Sequence, residues 1–279
     1  MVLNLKNKKN PLPTFIGTED SDTAVLFIHG LGGNCYTWLN FATHLNEAWN
    51  EKDSFSLEYD EYYKRYTSIP IISQIMIMVN IFNGKNITML SEHLKSVITQ
   101  NCSEYDNIII VCHSMGGLIA RKFLVEKLKK DKHLGKIKCL ITYATPHHGS
   151  FIGNLFSIIL YRPLKFLFIS KLIQVFELSK NSSFIKNLNK DWSDLRVEDK
   201  IDFIRVVGMQ DWVVRNNSAR FNEHDDHVHT IANKDHFNII KPLKDIKDVA
   251  FQVTYNYLRK FRIKMEREKE LLESQEEYD

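Results

Sequence analysis

The sequence predicts an α/β protein with a mostly parallel central sheet, helices on both faces of that sheet and an inserted helical cap. Two observations support this fold class. Strand-like runs of β-branched residues alternate with amphipathic helical segments, and two apolar segments, at 69–82 and 151–192, interrupt that alternation. Strands joined by crossover helices lie parallel because each helix packs back on the sheet before the next strand begins.

The strand predictions come from short apolar runs, of which 54–58 is the weakest. The runs are 23–28, 54–58, 107–112, 139–143, 201–207 and 227–232. Helices are predicted where apolar residues recur at intervals of three and four. These helical stripes contain Trp38, Phe41, Leu45 and Trp49; Leu90, Leu94 and Val97; Ala120, Phe123, Leu124 and Leu128; and Ile246, Val249, Ala250, Val253 and Tyr257.

The alternation defines a core with one insertion. Residues 1–150 and 193–262 are predicted to form the core, and residues 151–192, rich in Phe, Ile and Leu, to form the helical cap. Because lysines flank its apolar residues, the cap is also the segment through which we expect any peripheral membrane contact. The charged residues 263–279 are predicted to be a solvated helix end, a linker or a tail. Such an ending is also expected of a chain cut from a longer protein.

Composition narrows the class of protein. The chain has 279 residues, 44% hydrophobic residues and a formal net charge of +3, so nucleic acid is not an expected partner. The four cysteines are scattered, which predicts reduced thiols and a cytoplasmic location. Residues 1–13 lack the apolar core of a secretory signal. The longest uncharged apolar stretch, 69–82, is too short to cross a membrane and is predicted to be a second cap element or a pocket wall.

The most informative residue is Ser114. It follows a β-branched run at 108–111 and precedes Gly116, Gly117 and an amphipathic helix. A serine between a strand end and a helix start lies on a sharp, strained turn that exposes its hydroxyl above the sheet. The helix N-terminus behind it favours developing negative charge. This pattern predicts a nucleophilic serine.

A serine nucleophile needs a base and an acid that orients the base. On a sheet of this kind the partners follow in the order Ser, Asp or Glu, then His, each past the carboxyl end of a strand. Asp211 follows the strand at 201–207 and His236 follows the strand at 227–232. Asp202 lies at the wrong end of its strand, whereas Asp225 and Asp226 remain alternatives to Asp211.

An oxyanion hole is predicted from two backbone N–H groups. The strand at 23–28 ends in a glycine-rich turn, which can direct the N–H of Leu31 toward the same point as the N–H of Met115. A glycine-rich turn after a strand can also bind a phosphate. That interpretation lacks support here, because the turn carries neither a Lys-Ser/Thr ending nor a G-x-G-x-x-G spacing.

Five motifs together resemble the α/β-hydrolase superfamily, and within it the lipase-like branch that includes serine-active-site-containing proteins and GPI inositol-deacylase-like esterases. The resemblance spans residues 23 to about 240. It implies the α/β-hydrolase fold and hydrolysis of ester bonds, often in lipids, without a metal or an organic cofactor. The chain departs from the usual pattern at Cys112, which stands where the first glycine of the serine turn is expected. The motifs are HGLGG at 29–33, CHSMGG at 112–117, ATPHHGS at 144–150, GMQDWVV at 208–214 and DH at 235–236.

Further histidines surround the predicted site. His29 and His113 flank it, and we expect them to hydrogen-bond the surrounding loops and contact substrate rather than react. His147 and His148 follow a strand end and are predicted to line the pocket. The His and Asp residues between 224 and 229 could suggest a metal site, but ligands usually converge from more than one short loop, so no metal is predicted.

These observations predict a serine hydrolase that cleaves carboxylic ester bonds. The apolar insertions favour a lipase, a phospholipase or a long-chain esterase, with an ester or lipid as the partner. One alternative is an acyltransferase that uses the same triad with an alcohol or amine acceptor. Another is an effector or binding module of a larger signalling protein.

Overall fold

The computed structural model describes residues 14–16, 22–30, 33, 37–52, 58–62, 86–149, 182–221, 227–242 and 248–276. Within this part of the chain, seven strands form a single sheet in the order β1-β3-β2-β4-β5-β6-β7. Strand β1 is antiparallel to β3, and every other neighbouring pair is parallel. The strands are β1 (Thr14–Ile16), β2 (Thr23–Ile28), β3 (Glu58–Tyr62), β4 (Asn107–His113), β5 (Ile137–Tyr143), β6 (Asp202–Gly208) and β7 (Val228–Ile231).

The described helices alternate with these strands, as crossover connections between parallel strands require. Three of them have side-chain caps: Asn86 accepts a hydrogen bond from the Met89 N–H, Ser182 accepts one from the Ile185 N–H, and Asp248 accepts two from the first turn of the last helix. The helices are α1 (Leu39–Lys52), α2 (Ile87–Asn101), α3 (Met115–Asp131), α4 (Ser183–Asp194), α5 (Asn216–Arg220) and α6 (Val249–Glu276).

Alternate residues of the central strands pack into two hydrophobic clusters, one on each face of the sheet. In β4, Ile108 and Ile110 belong to the cluster that includes α2, α3 and α4. Ile109 and Val111 belong to the cluster that includes α1 and α6. All seven residues of β4 are buried, which explains its uninterrupted apolar sequence. The predicted class, a mostly parallel sheet with helices on both faces, is confirmed.

The position of β3 differs from the prediction. The sequence pointed to 54–58, whereas the strand runs from Glu58 to Tyr62. This segment, Glu-Tyr-Asp-Glu-Tyr, has no apolar run, so its strand character comes from main-chain pairing with β1 and β2. Such long-range pairing leaves no local sequence pattern.

The predicted cap, 151–192, lies partly outside the described residues. Its described end belongs to α4, where Ile185, Leu188 and Trp192 are buried in the same cluster as α3. Residues 69–82 also lie outside the described part. At the carboxyl end, α6 continues through the charged segment to Glu276. No helix among the described residues is both long and apolar enough to cross a membrane.

We expect Leu94→Ala to lower the free energy of unfolding by about 2–5 kcal/mol, because the fully buried Leu94 side chain of α2 would leave a cavity. The matched control is Leu271→Ala in α6, where the side chain is 62% exposed and the expected change is within about 0.5 kcal/mol. Urea denaturation of both variants measures the difference. Equal losses would contradict the assignment of α2 to the core.

Candidate active site

Ser114 lies on the turn between β4 and α3 with φ 52° and ψ −125°. Positive φ is strained for a residue with a side chain and persists only where the surroundings hold it. Here the Ser114 N–H donates to the Tyr143 carbonyl at 2.9 Å, and its carbonyl accepts from the Thr145 hydroxyl at 3.0 Å. Neighbouring β5 and the loop after it therefore hold the strained turn in place.

Two glycines permit the turn. A Cβ on Gly116 would lie 2.7 Å from the carbonyl oxygens of Ile28 and His29, and a Cβ on Gly117 would collide with Thr145. Helix α3 can therefore begin next to the ends of β2 and β5 only because these positions lack side chains. Cys112 is fully buried in the core cluster, where burial raises its thiol pKa. The departure at the usual first glycine is thus accommodated by packing.

Three loops, after β4, β6 and β7, bring Ser114, Asp211 and His236 together. His236 Nδ1 lies 2.9 Å from Asp211 Oδ2, and His236 Nε2 lies 3.0 Å from Ser114 Oγ. Since a carboxylate oxygen accepts, Nδ1–H donates to Asp211 and leaves the Nε2 lone pair facing the serine hydroxyl. All three residues are buried. This geometry lets His236 take a proton from Ser114.

The other oxygen of Asp211 is also bound. Asp211 Oδ1 accepts the Val213 and Val214 N–H groups at 2.9 and 2.8 Å, which leaves Oδ2 facing the histidine. Asp202, at the opposite end of β6, instead accepts from the Tyr257 hydroxyl. The alternatives Asp225 and Asp226 lie outside the described residues.

A buried ion pair holds the loop that carries His236. The Lys234 ammonium lies 2.6 Å from Asp248 Oδ2 and also donates to the carbonyls of Asn238 and Lys241. Asp248 Oδ1 accepts two N–H groups from the first turn of α6. The loop around His236 is therefore joined to the N-terminus of α6. Sequence reasoning missed this pair, because an isolated lysine carries no local signal of burial.

His113 and His29 pack beside the candidate active site. The His113 Nε2–H donates to the His236 carbonyl at 2.7 Å, and their ring centroids are 4.9 Å apart. Burial and the adjacent His236 hold the pKa of His113 well below its usual range. Burial also lowers the pKa of His29, whose Nδ1–H donates to the Gly30 carbonyl. Both rings are thus kept neutral, and contact with substrate stays a prediction for them.

His147 and His148 lie in a hydrogen-bonded network around Arg121. Arg121 donates to His147 Nδ1 at 3.3 Å, and His147 Nε2 lies 3.2 Å from the Thr142 hydroxyl. Burial and Arg121 hold the pKa of His147 well below its usual range. His148 donates to the Phe221 carbonyl. Because these ring nitrogens have protein partners, substrate binding stays a prediction for both histidines.

Arg121 itself was not anticipated from the sequence. Its guanidinium is fully buried between the rings of Trp192 and Phe221, with its carbon 4.6 and 4.3 Å from their centroids. Burial lowers its pKa to about 9. Since Arg121 is on α3 and Trp192 is on α4, this cation–π stack joins the helix behind Ser114 to the described end of the predicted cap.

The two predicted oxyanion donors are only partly described. Met115 is the first residue of α3, where backbone N–H groups have no acceptor within the helix. The Gly117 N–H donates to the Ser114 carbonyl at 3.1 Å, whereas the Met115 N–H donates to no backbone carbonyl among the described residues. Leu31 lies outside the described residues, so its role stays a prediction.

Comparison with known families identifies the domain. A family described as "PGAP1-like alpha/beta domain" matches residues 19–200. The chain belongs to this family. The match includes β2, the Ser114 turn and the loop after β5. It ends before Asp211 and His236, so the family match alone covers one of the three predicted triad residues.

Individual relatives and solved structures agree with this assignment. Mouse protein SERAC1 is 29% identical over 212 residues, which are 67% of this chain and 30% of SERAC1. The Legionella pneumophila phospholipase PlaB has a TM-score of 0.53 at 17% identity, over 72% of this chain and 44% of PlaB. The mature Bacillus licheniformis lipase BlEst2 has a TM-score of 0.50 at 18% identity, over 88% of this chain and 98% of the lipase. The domain thus has the α/β-hydrolase fold of these enzymes, and it matches less than a third of SERAC1.

The buried neutral histidines predict a loss of stability in acid. The pKa values of His29, His113 and His147 are lowered in the folded protein, so below about pH 6.5 the unfolded chain binds protons that the folded chain does not. The free energy of unfolding should therefore fall with decreasing pH, by up to about 1.4 kcal/mol per pH unit for each histidine.

The histidine variants His147→Gln and His133→Gln test this expectation. Urea denaturation between pH 7.5 and 5 measures the slope of the unfolding free energy against pH. The slope should become shallower in His147→Gln and stay unchanged in His133→Gln, whose side chain is exposed. An unchanged slope in His147→Gln would show that His147 is protonated in the folded protein.

Proposed function

We propose that this domain is a serine hydrolase that cleaves carboxylic ester bonds through an acyl-enzyme on Ser114. The observation that carries the proposal is the continuous hydrogen-bonded series from Asp211 through His236 to the Ser114 hydroxyl, with distances of 2.9 and 3.0 Å. A serine hydroxyl becomes nucleophilic when a positioned base removes its proton, and the acid keeps that base in the required tautomer.

The reaction follows from the positions of these groups. Ser114 Oγ attacks the ester carbonyl carbon while its proton moves to His236 Nε2. The resulting oxyanion accepts the Met115 N–H and, in the proposed site, the Leu31 N–H; each donor of this kind lowers the barrier by about 3 kcal/mol. His236 then protonates the leaving alcohol. A water molecule, deprotonated by His236, releases the acid from Ser114. No cofactor takes part in these steps.

Apolar side chains on the triad loops support a lipid substrate. Met209 and Trp212 are 58% and 54% exposed on either side of Asp211. Phe237, 44% exposed, follows His236 and places its ring 5.2 Å from the histidine ring. Large exposed apolar residues beside a reactive group favour contact with acyl chains. The phospholipase and lipase names among the fold neighbours agree with this choice.

A fluorophosphonate probe should label wild-type protein at Ser114 and leave Ser114→Ala unlabelled, since the probe reacts with an activated serine. His236→Ala and Asp211→Ala should slow labelling, by about 10³-fold or more for the base, because the nucleophile loses its proton acceptor. Ser218→Ala, which removes another buried serine, is the control and should label normally. Equal labelling of wild type and Ser114→Ala would refute the mechanism.

Substrate preference is tested with p-nitrophenyl esters of increasing acyl length. We expect kcat/KM to rise with chain length, since each buried methylene contributes about 0.8 kcal/mol. No rise would refute the lipid assignment but not the serine mechanism. Product analysis with an added alcohol separates a hydrolase from an acyltransferase, because only the latter forms a new ester in preference to the free acid.

The Lys234–Asp248 pair should affect catalysis through the position of His236. Lys234→Met removes the ammonium that binds two loop carbonyls and the buried Asp248 carboxylate, so kcat should fall at least tenfold with a smaller change in KM. The control is Lys241→Met, on the same loop but with an exposed side chain. Both variants are compared at temperatures where circular dichroism shows them folded. Wild-type kcat in Lys234→Met would contradict a positioning role.

A further inference from the structure

A second concave site lies between α2 and α3, at the end of the sheet opposite to Ser114. This groove has a volume of about 600 Å³, within the range of about 300–1,000 Å³ that is usual for small-molecule sites. Its base includes Ile108 and Ile137, at the starts of β4 and β5. Ile108 precedes Ser114 by six residues, which is about 20 Å along an extended strand. The groove is therefore separate from the triad.

The lining of the groove is amphipathic. Apolar residues from both helices and the strand starts form its inner surface, among them Ile98, Phe123 and Leu134. The rim carries five lysines and three carboxylates, which leaves an excess of two positive charges. Lysine side chains suit such a rim because their stems extend along apolar surface while the ammonium stays in water.

Most of the rim charges are already paired. Lys122 binds Glu126 at 2.7 Å, and Lys127 binds Asp131 at 2.8 Å. Lys136 donates to the Ser103 carbonyl. Lys95 on α2 and Lys130 on α3 have no carboxylate within ion-pair distance among the described residues. Glu92, the third carboxylate of the rim, likewise has no lysine within ion-pair distance among the described residues. The two ammonium groups, on opposite helices, therefore exceed this carboxylate by one positive charge, which an anionic ligand would complement.

The dimensions of the groove favour a single extended chain. Its lining on α2 runs from Thr88 to Thr99, which is about 17 Å along a helix. The acyl chains of one bilayer leaflet span about 15 Å. A helix about 10 Å wide would occupy roughly 1,300 Å³ over the same length, which is more than twice the volume of the groove. A single extended chain of methylenes is much thinner and suits this volume.

We propose that this groove binds the anion of a long-chain fatty acid, with the acyl chain between α2 and α3 and the carboxylate near Lys95 and Lys130. A single carboxylate matches the two unpaired ammonium groups, and lysine ammonium is a compact charge that does not require the planar fork of arginine recognition. The site does not depend on the activity of Ser114, because the ligand is bound and not converted.

Binding is located with palmitic acid that carries a diazirine, photolysed on the full chain and mapped by peptide mass spectrometry. We expect crosslinks in α2 and in the carboxyl half of α3. The Ser114→Ala variant should give the same crosslinks. Labelling confined to peptides around Asp211 and His236 would overturn the proposal and leave the serine mechanism untouched.

The contribution of the two lysines to palmitate binding is measured with the double variant Lys95→Glu/Lys130→Glu. Its affinity for palmitate should fall at least tenfold in isothermal titration. The control Lys186→Glu/Lys260→Glu makes the same change in net charge at exposed positions away from the groove and should bind normally. Equal losses in both double variants would overturn the role of Lys95 and Lys130.

Ligand chemistry is tested with hexadecanol and with a dipalmitoyl phosphatidylcholine vesicle as competitors. Wild type should bind palmitate more tightly than hexadecanol, and the Lys95→Glu/Lys130→Glu variant should lose this preference. Thr99→Trp, which fills the groove from an exposed position, should weaken both ligands. If the vesicle displaced bound palmitate from the groove and added soluble fatty acid did not, the ligand would be a membrane lipid. That result would overturn the proposal of a free fatty acid.

Discussion

The strained turn at Ser114 is the constraint on which the rest of the site depends. A side chain at φ 52° is held there only because β2 and β5 lie close enough to fill the space around α3. Strands this close leave no room for side chains at positions 116 and 117, so both residues are glycine. The Thr145 hydroxyl donates a hydrogen bond to the Ser114 carbonyl and so helps to hold the turn. The energy stored in the turn is therefore balanced by packing across three strands.

The positions of Asp211 and His236, the other two residues of the proposed triad, depend on buried charges. Asp211 has both carboxylate oxygens bound, and Lys234 joins the His236 loop to α6 through Asp248. An unpaired ammonium or carboxylate would be costly in this interior, so each group restricts the positions that its partner can take. The loop positions are thus set by a few charge-assisted hydrogen bonds, and the neutral ring of His113 packs against the ring of His236.

Features set by neighbouring residues in the sequence could be predicted, whereas features set by contacts between distant segments could not. The turn at Ser114 has a local signature, and chain order and strand ends specified where to look for its proposed partners Asp211 and His236, which are hydrogen-bonded in series with it. Strand β3 was predicted too early, since its sequence is charged and its pairing is distant. Lys234 and Arg121 gave no signal at all. Their burial depends on Asp248, Trp192 and Phe221, which only the folded chain brings near.

The fold also separates two apolar sites along one helix. Ser114 precedes the first turn of α3, whereas Lys130 of the groove lies in its last turn, about 22 Å away along the axis. Ligands at the two ends would not touch, so a fatty acid in the groove would not exclude an ester at Ser114. Coupling between them has two routes, through α3 and through β4, which runs from the base of the groove to Ser114. Coupling through α3 would alter the Ser114 turn and the Arg121 stack together, because both lie on that helix.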